Sequence, residues 1–418
     1  MNTFYSTNNK LINKAYLKEF TELCIFCFFL PPIISTTILF FKFLKNRNTL
    51  TGTLFFIFLT LFLSYNYFSV DNSLRFFSAE KISELTYWYN GDPLTYLISV
   101  GNKIGISSSC FFYTFTLIIY LFWFYTYQNI KSNNSKWDII IIISAMILRN
   151  AIDLTYYTLA VSFLLFTLTK VSKLSIKICL CLAIAIYLLH PGVLIVFLPS
   201  IILYKLIQNK CTFYYYLYLV LLYILTANLE LIIPTTGISF IDNMSNAYFH
   251  YTDSENKWGL RKENLSGVTF FFQYYVTSFL YLIIFIFTII KREKLFNKFI
   301  LSIFQSAMVM LPSFWKYVTI TERLMVILSL TSVLCIIMLQ KEYKIKSKYI
   351  AYLYFSIFLF HTFRASKMEL GGVFYSNSYL PIQQRSYYIP SLLLFNFDTW
   401  GYSNDFIKSN SQFKYFLE

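Results

Sequence analysis

Two apolar stretches decide the fold of this chain: IIIIISAMILRNAIDLTYYTLAVSFLLFTLT, residues 139–169, and ICLCLAIAIYLLHPGVLIVFLPSIILY, residues 178–204. The first contains only two ionisable side chains, Arg149 and Asp153, and the second contains only His190. About 20 helical residues cross the hydrocarbon of a bilayer, so each stretch is long for one span and short for two. We predict that each stretch forms two short helices, with Arg149 and His190 held where the two helices meet.

The composition of the chain is typical of a membrane protein. Of its 418 residues, 57% are hydrophobic and 13% are charged, and the mean hydropathy is +0.55. Water-soluble domains contain about 25% charged residues. We therefore expect an all-α fold: a polytopic integral membrane helical bundle of about 12 transmembrane helices, with 10 to 13 possible, formed by residues 1–418 as a single domain. The expected spans are about 20–41 (bent at Pro31-Pro32), 53–70, 109–127, 138–149, 153–169, 177–190, 192–206, 212–233, 268–290, 299–315, 323–340 and 349–363.

Positive charge is concentrated in alternate connections between the expected spans. Eighteen Lys and Arg side chains fall in six short links, and the positive-inside rule places those links in the cytoplasm. If residues 139–169 formed one helix, the basic link at 170–173 would lie outside, so the charge pattern also favours two helices. The net charge of +15 is then a topology signal, and no nucleic-acid partner is expected.

On this topology, the extracytoplasmic face receives the long polar parts of the chain. They are two loops, about 71–108 and 234–267, and a tail, about 364–418. An apolar run in the tail, 387–397, is too short to span and is expected to lie on the outer membrane interface. Three ionisable residues at helix ends share this face: Arg149, His190 and Arg323. We therefore expect the functional site there, because ionisable residues at membrane depth are costly to keep without a function.

The sequence carries no signature of a metal or nucleotide enzyme. The seven cysteines lie in or beside apolar segments, and the redox spacing of Cys24-x-x-Cys27 falls within an apolar helix. There is no GxGxxG motif, no Walker loop, no DxD pair and no HExxH motif. We expect neither a cofactor nor a metal.

Arg149 is the first candidate site residue. A guanidinium presents a two-pronged donor to phosphate oxygens and stays charged at physiological pH. The alternative is an ion pair within a helix with Asp153, four residues later, and both interpretations hold together if Asp153 orients the arginine.

His190 and Arg323 are the next candidates. A histidine at this position suits a general base acting on a sugar hydroxyl or a donor to a phosphate, whereas the alternative is a polar helix stop fixed by Pro191. Arg323 follows Glu322, which would pair with it or tune it; the alternative is an arginine that extends to the membrane interface.

Sugar binding is suggested by the stretch Tyr-Trp88-Tyr-Asn-Gly-Asp92-Pro in the first outer loop. Aromatic rings, an amide and a carboxylate together stack on sugar rings and hydrogen-bond to them. An aromatic belt at the interface followed by a turn is the equally supported alternative. Arg75 and Arg261 are weaker candidates on the same face.

The order of these motifs resembles that of a known family. An Asp92-Pro93 loop precedes Gly101 and Gly105, an arginine opens the segment Arg149-Asn-Ala-Ile-Asp153, a span ends in Leu-Leu-His190-Pro-Gly, and Thr-Glu-Arg323 follows later. The pattern, over about residues 50–340, is similar to the EpsG-like branch of the Wzy-type O-antigen and exopolysaccharide polymerases.

This resemblance implies a GT-C-like fold and a multi-pass location in the bacterial inner membrane, with the active face in the periplasm. Such proteins join oligosaccharide units carried on undecaprenyl diphosphate into O-antigen, capsular polysaccharide or exopolysaccharide, without a metal or a nucleotide sugar. By the resemblance, Arg149 and Arg323 hold the donor diphosphate, and His190 assists as a base or as a further diphosphate donor. Membrane lipid and a chain-length regulator protein are the further partners it implies.

Other functions stay open at this point. An O-antigen ligase or another lipid-linked glycosyltransferase would use the same carrier. A flippase or exporter of lipid-linked glycan is the main alternative of another class, but it is disfavoured because the spans after the first carry no ionisable residue near their middle. A membrane O-acyltransferase would need a histidine within a span, for which His190 alone gives little support.

Overall fold

A computed structural model describes residues 18–66, 93–106, 108–130, 136–145, 155–171, 175–228, 271–343, 348–357, 359, 387 and 389–395. This described part of the chain is helical and contains no β-strand. The helices are α1 (18–29), α2 (Pro32–Asn46), α3 (Thr49–Asn66), α4 (Pro93–Lys103), α5 (Ser108–Ile130), α6 (Lys136–Ala145), α7 (Thr155–Lys170), α8 (Ile176–Leu189), α9 (Leu194–Gln208), α10 (Thr212–Ala227), α11 (Thr277–Lys291), α12 (Lys298–Met310), α13 (Val318–Tyr343), α14 (348–357) and α15 (Ser391–Leu394).

Apolar helices of membrane-spanning length confirm the all-α fold class and indicate a membrane protein. Within the described ranges, four helical stretches are long and apolar enough to cross a membrane: Cys110–Ile130, Pro191–Gln208, Tyr274–Lys291 and Thr319–Tyr343. Shorter apolar helices cover Thr49–Ser64, Ile176–Leu189, Thr212–Ala227 and Lys298–Met310. The total of about 12 spans stays a prediction.

In the described residues, each of the two deciding stretches contributes to two helices. Residues 139–169 contribute to α6 and α7, with residues 146–154 between them outside the described part of the chain. Residues 178–204 contribute to α8 and α9, which His190 and a short 3-10 turn, Pro191–Val193, separate. The interruption expected at His190 is therefore present in the backbone.

The chain divides into two compact units, 1–124 with 366–418, and 125–365. In the first unit, α2 and α3 pack as a hairpin whose turn is closed by Arg47 in a left-handed conformation, φ 54°. Gly52 permits a close approach of Phe124, because a Cβ at position 52 would lie 2.3 Å from that ring.

The predicted bend in the first span is a complete break between α1 and α2. Prolines have no N–H and cannot continue the hydrogen-bond ladder of a helix, so the carbonyls that precede the proline pair 31–32 need other donors. Ser35 Oγ donates to Cys27 O at 2.7 Å. Ser391 donates to Leu30 O twice, from its backbone N–H at 2.9 Å and from its hydroxyl at 2.6 Å.

A segment of the tail is thus built into the first unit. Phe395 packs against Phe28, Phe58 and Tyr113, with ring centroids 5.6, 6.4 and 5.7 Å away. Ser391 is fully buried, whereas the neighbouring Leu392 and Leu393 are exposed. The central part of the run 387–397 is thus docked onto the helix break at Leu30, and its expected place on the outer interface stays a prediction.

The expected outer loop 71–108 contains a helix, α4, which the sequence interpretation missed. Pro93 stands in its first turn, where a backbone N–H has no acceptor within the helix, so its absence costs no hydrogen bond. Leu94, Ile98 and Gly101 form a buried stripe at helical spacing. Gly105, φ +86°, ends the helix: the N–H of Ile106 donates to Gly101 O at 2.9 Å, as in a Schellman motif.

In the second unit, α12 and α13 form the centre. Nearly every residue of α12 is buried, and α7, α9, α10 and α11 pack against it. Polar groups on these helices find partners inside the bundle: Tyr215 donates to Gln305 at 3.0 Å, and Gln305 donates to Thr288 at 3.4 Å. The outward faces of α10 and α11 are apolar and exposed, as expected for helices that contact lipid.

We expect the Ser391→Ala variant to lower the free energy of unfolding by about 1 kcal/mol, because it removes the hydroxyl bond to Leu30 O. Thermal unfolding of the purified chain in detergent measures this change. The matched control is Ser356→Ala, an exposed serine on α14 that bonds only within its own helix, and a change within about 0.5 kcal/mol is expected there. Equal effects of the two substitutions would contradict docking of the tail segment.

Candidate functional site

His190 lies at the junction of α8 and α9, in extended backbone with φ −164° and ψ 108°. Its N–H still closes the last turn of α8 by donating to Ile186 O at 2.7 Å. Pro191 cannot donate and starts a new turn, so the chain must break here. The N–H of Gly192 then donates to the Nδ1 atom of His190 at 3.1 Å.

This hydrogen bond favours one tautomer of the neutral imidazole. Because Nδ1 accepts a bond, the proton of the neutral ring resides on Nε2. The ring therefore presents an N–H donor on its far side. Of the two roles that the sequence left open for His190, this geometry favours the donor to an anion over the general base.

Tyr157, near the start of α7, packs against the imidazole of His190. The ring centroids of Tyr157 and His190 are 5.1 Å apart, with an interplanar angle of 86°, an edge-to-face contact. Tyr157 is 3% exposed. A Cβ at Gly192 would lie 3.1 Å from the imidazole and 3.8 Å from the Tyr157 ring, so the small residue after Pro191 allows this packing.

Arg323 approaches the same tyrosine from the first turns of α13. Its Cζ atom lies 5.9 Å from the Tyr157 ring centroid, at the outer limit of a cation–π contact. The start of α13 is anchored to the preceding turn, because Thr321 Oγ1 donates to Phe314 O at 2.8 Å. The Tyr157 ring is thus a shared neighbour of the imidazole and the guanidinium.

Glu322 is held by a different neighbour. Tyr274 donates from its hydroxyl to Glu322 Oε1 at 2.8 Å. Tyr274 is fully buried and stands in a single π turn, Phe271–Val276, just before α11. The sequence expectation that Glu322 pairs with or tunes Arg323 is thereby refined, since its carboxylate accepts a hydrogen bond from a tyrosine of another helical segment.

Three helix ends therefore meet in this part of the second unit: the start of α7, the junction of α8 with α9, and the start of α13. The loop charges of the sequence predict that these ends lie on the extracytoplasmic face. A permanent cation and an imidazole N–H donor, both half-buried, suit an anion with several oxygen atoms, because charges interact more strongly away from bulk water.

Six of the predicted site residues lie outside the described residues: Arg149, Asp153, Asp92, Trp88, Arg75 and Arg261. Their assignments stay predictions. Asp153 stands four positions before Tyr157 in the sequence, and Arg149 eight positions before it.

Tyr157 and Tyr274 are the residues that the sequence interpretation missed. The available signal for Tyr157 was its position shortly after Asp153, at the same helix start. In a chain with 36 tyrosines and 46 phenylalanines, an aromatic residue at a helix end is not distinctive. Only the packing of α7 against the His190 turn identifies it.

Within the described ranges, no group of three or more His, Cys, Asp or Glu side chains is arranged to hold a metal ion. The seven cysteines, all described, are free thiols.

A comparison of the chain with known protein families, with curated proteins and with solved structures finds no match.

Replacement of Tyr157 tests the packing of this site without reference to any activity. Tyr157→Ala is expected to cost about 3–5 kcal/mol of unfolding free energy, because it leaves a cavity between His190 and Arg323. Tyr157→Phe keeps the ring and is expected to retain most of the stability. Thermal unfolding in detergent distinguishes the two, and an alanine variant as stable as the phenylalanine variant would show that the ring supports nothing.

Proposed function

We propose that this chain is a polysaccharide polymerase of the lipid-linked type, acting on oligosaccharide units carried by undecaprenyl diphosphate. The observation that carries the proposal is the contact of both His190 and Arg323 with Tyr157, where three helix ends meet. The motif order of the sequence supports the same function. The charge pattern of the loops supports a multi-pass protein with the site on the extracytoplasmic face, which is the periplasm in the bacterial inner membrane that the resemblance implies.

The proposed reaction is a transfer between two lipid-linked glycans. A hydroxyl oxygen of the acceptor glycan attacks the anomeric carbon of the donor, and the bond from that carbon to the diphosphate oxygen breaks. The lipid diphosphate leaves with the electron pair, and the hydroxyl proton passes to solvent. Arg323 stabilises the charge that develops on the leaving group, and the Nε2 proton of His190 adds a donor to it.

The remaining predicted residues extend this assignment. Arg149, oriented by Asp153, would add a second guanidinium to the diphosphate site. Trp88 and Asp92 would contact sugar rings, and Arg75 and Arg261 would contribute positive charge from the outer loops. A chain-length regulator protein is a proposed partner of the polymerase, and membrane lipid surrounds it.

Replacement of Arg323 by lysine tests whether the site needs a two-pronged donor to phosphate or only a positive charge. Arg323→Lys keeps the charge but loses the two-pronged donor, and we expect it to lower polymerisation roughly 100-fold. The measurement is the ladder of surface-glycan chain lengths on a gel, in a host that depends on this chain. Arg292→Lys is the matched control: Arg292 stacks on Tyr216 at the other end of α11, and a full ladder is expected.

His190→Ala and Arg149→Ala are expected to shorten or abolish the ladder as well. A full ladder from all three variants, with protein levels equal to wild type, would overturn the assignment of the site. Deletion of the gene distinguishes the enzyme classes: single glycan units on the lipid A core support polymerisation, whereas their absence supports an O-antigen ligase or a related lipid-linked glycosyltransferase.

A flippase or exporter of lipid-linked glycan is the second candidate, and two observations favour it. The first is the helix break at Leu30, since broken helices form the binding sites of many transporters. The second is Asp138, a buried carboxylate, 6% exposed, in the first turn of α6. Against transport, Ser391 occupies the carbonyl exposed at the break, and Asp138 lies at a helix end.

The leaflet that holds the glycan units after deletion separates these two functions. Loss of a flippase traps undecaprenyl-linked units on the cytoplasmic side, whereas loss of a polymerase leaves them exposed on the periplasmic side. Labelling of intact spheroplasts with a lectin or a periodate reagent that cannot cross the membrane reports the difference.

A further inference from the structure

We infer that Trp315, Tyr275 and Glu322 form a binding subsite for a sugar ring, beside the cation held by α13. The inference rests on the proposed function, and it names the position at which the glycan next to the diphosphate would bind. It concerns residues that the sequence pattern did not associate with sugar, since Glu322 was expected there only to pair with or tune Arg323.

The aromatic part of the subsite comes from the π turn that precedes α11. Single π turns are rare in proteins, but those that occur are often found at functional sites. A π turn contains more residues than an α-helical turn, so the rotation about the helix axis from one side chain to the next is smaller. Two consecutive tyrosines can therefore contact the same indole. Tyr274 and Tyr275 contact Trp315 edge to face, with ring centroids 6.3 and 5.5 Å away.

The three rings differ in solvent exposure, and this difference decides which of them a ligand could contact. Tyr274 is fully buried and serves as the support, whereas Tyr275 is 47% exposed and Trp315 is half-buried. Tyrosine and tryptophan side chains combine an apolar ring with a polar tip, which suits them to ligands that carry both C–H faces and hydroxyls. A sugar ring is such a ligand.

The polar part of the subsite is the Glu322 carboxylate. One of its oxygens accepts the hydrogen bond from Tyr274, which fixes the orientation of the group beside the aromatic cluster. An ionised carboxylate accepts several hydrogen bonds and donates none, so it has further acceptor capacity for sugar hydroxyls. Aromatic surface and a fixed carboxylate are thus side by side.

The order of chemical groups along the site matches the order along a lipid-linked donor. Glu322 and Arg323 are adjacent on α13, and their side chains reach different neighbours: Tyr274 on one side and Tyr157 with His190 on the other. In the donor, the first sugar is bonded directly to the diphosphate. A diphosphate at Arg323 therefore places that sugar within reach of Glu322 and Trp315.

Two probes on the purified full chain in detergent separate the sugar subsite from the diphosphate site. One is inorganic diphosphate, and the other is a repeat-unit oligosaccharide released by partial acid hydrolysis from the host's own polysaccharide. We expect Tyr275→Ala and Trp315→Ala to weaken oligosaccharide binding roughly tenfold each, while diphosphate binding stays at the wild-type level. Tyr275→Phe keeps the ring and is expected to restore most of the oligosaccharide affinity.

The matched control is Tyr216→Ala on α10, because Tyr216 is also about half exposed, 45%, but contacts Arg292, at the opposite end of α11 from Tyr275. It is expected to leave both affinities unchanged. Equal losses from Tyr216→Ala and Tyr275→Ala, or unchanged oligosaccharide binding in the Tyr275 and Trp315 variants, would overturn the sugar subsite. Failure of the wild-type chain to bind diphosphate would instead overturn the proposed function.

Discussion

Every interruption of a helix in hydrocarbon must supply hydrogen bonds for the backbone groups that it exposes, and this constraint organises both units of the chain. At Leu30 the two shorter bonds come from Ser391, far along the sequence, and a longer one comes from Ser35. At His190 the solution is local: the N–H of His190 closes α8, and the side chain accepts the N–H of Gly192. The second solution places an imidazole at the break, and the candidate site is built around it.

Around His190, the atoms that stabilise the helix junction also form the candidate site. The bond that stabilises the 3-10 turn also favours the tautomer that donates from Nε2, and Tyr157 contacts both the imidazole and Arg323. α12 and α13 are buried along almost their whole length, which gives these helix ends a rigid support. A site for a charged group is thereby held by apolar packing rather than by flexible loops.

The helical class, the break at the proline pair 31–32 and the two helices around His190 could be predicted, because each follows from hydropathy and from residues that lack a donor. The convergence of His190 and Arg323 on Tyr157 could not, since charge patterns assign a face of the membrane and not a neighbour. α4 was missed because its buried stripe is short and polar residues interrupt it. The docking of Ser391 was missed because no local pattern indicates an acceptor 361 residues away.

That distance affects how the chain is made. α1 and α2 are synthesised early, yet the donor for Leu30 O is translated 361 residues later. During that interval Leu30 O has only the longer bond from Ser35 Oγ, at 3.4 Å. The α1–α2 pair therefore acquires its two shorter hydrogen bonds at this carbonyl only after the segment around Ser391 has been synthesised.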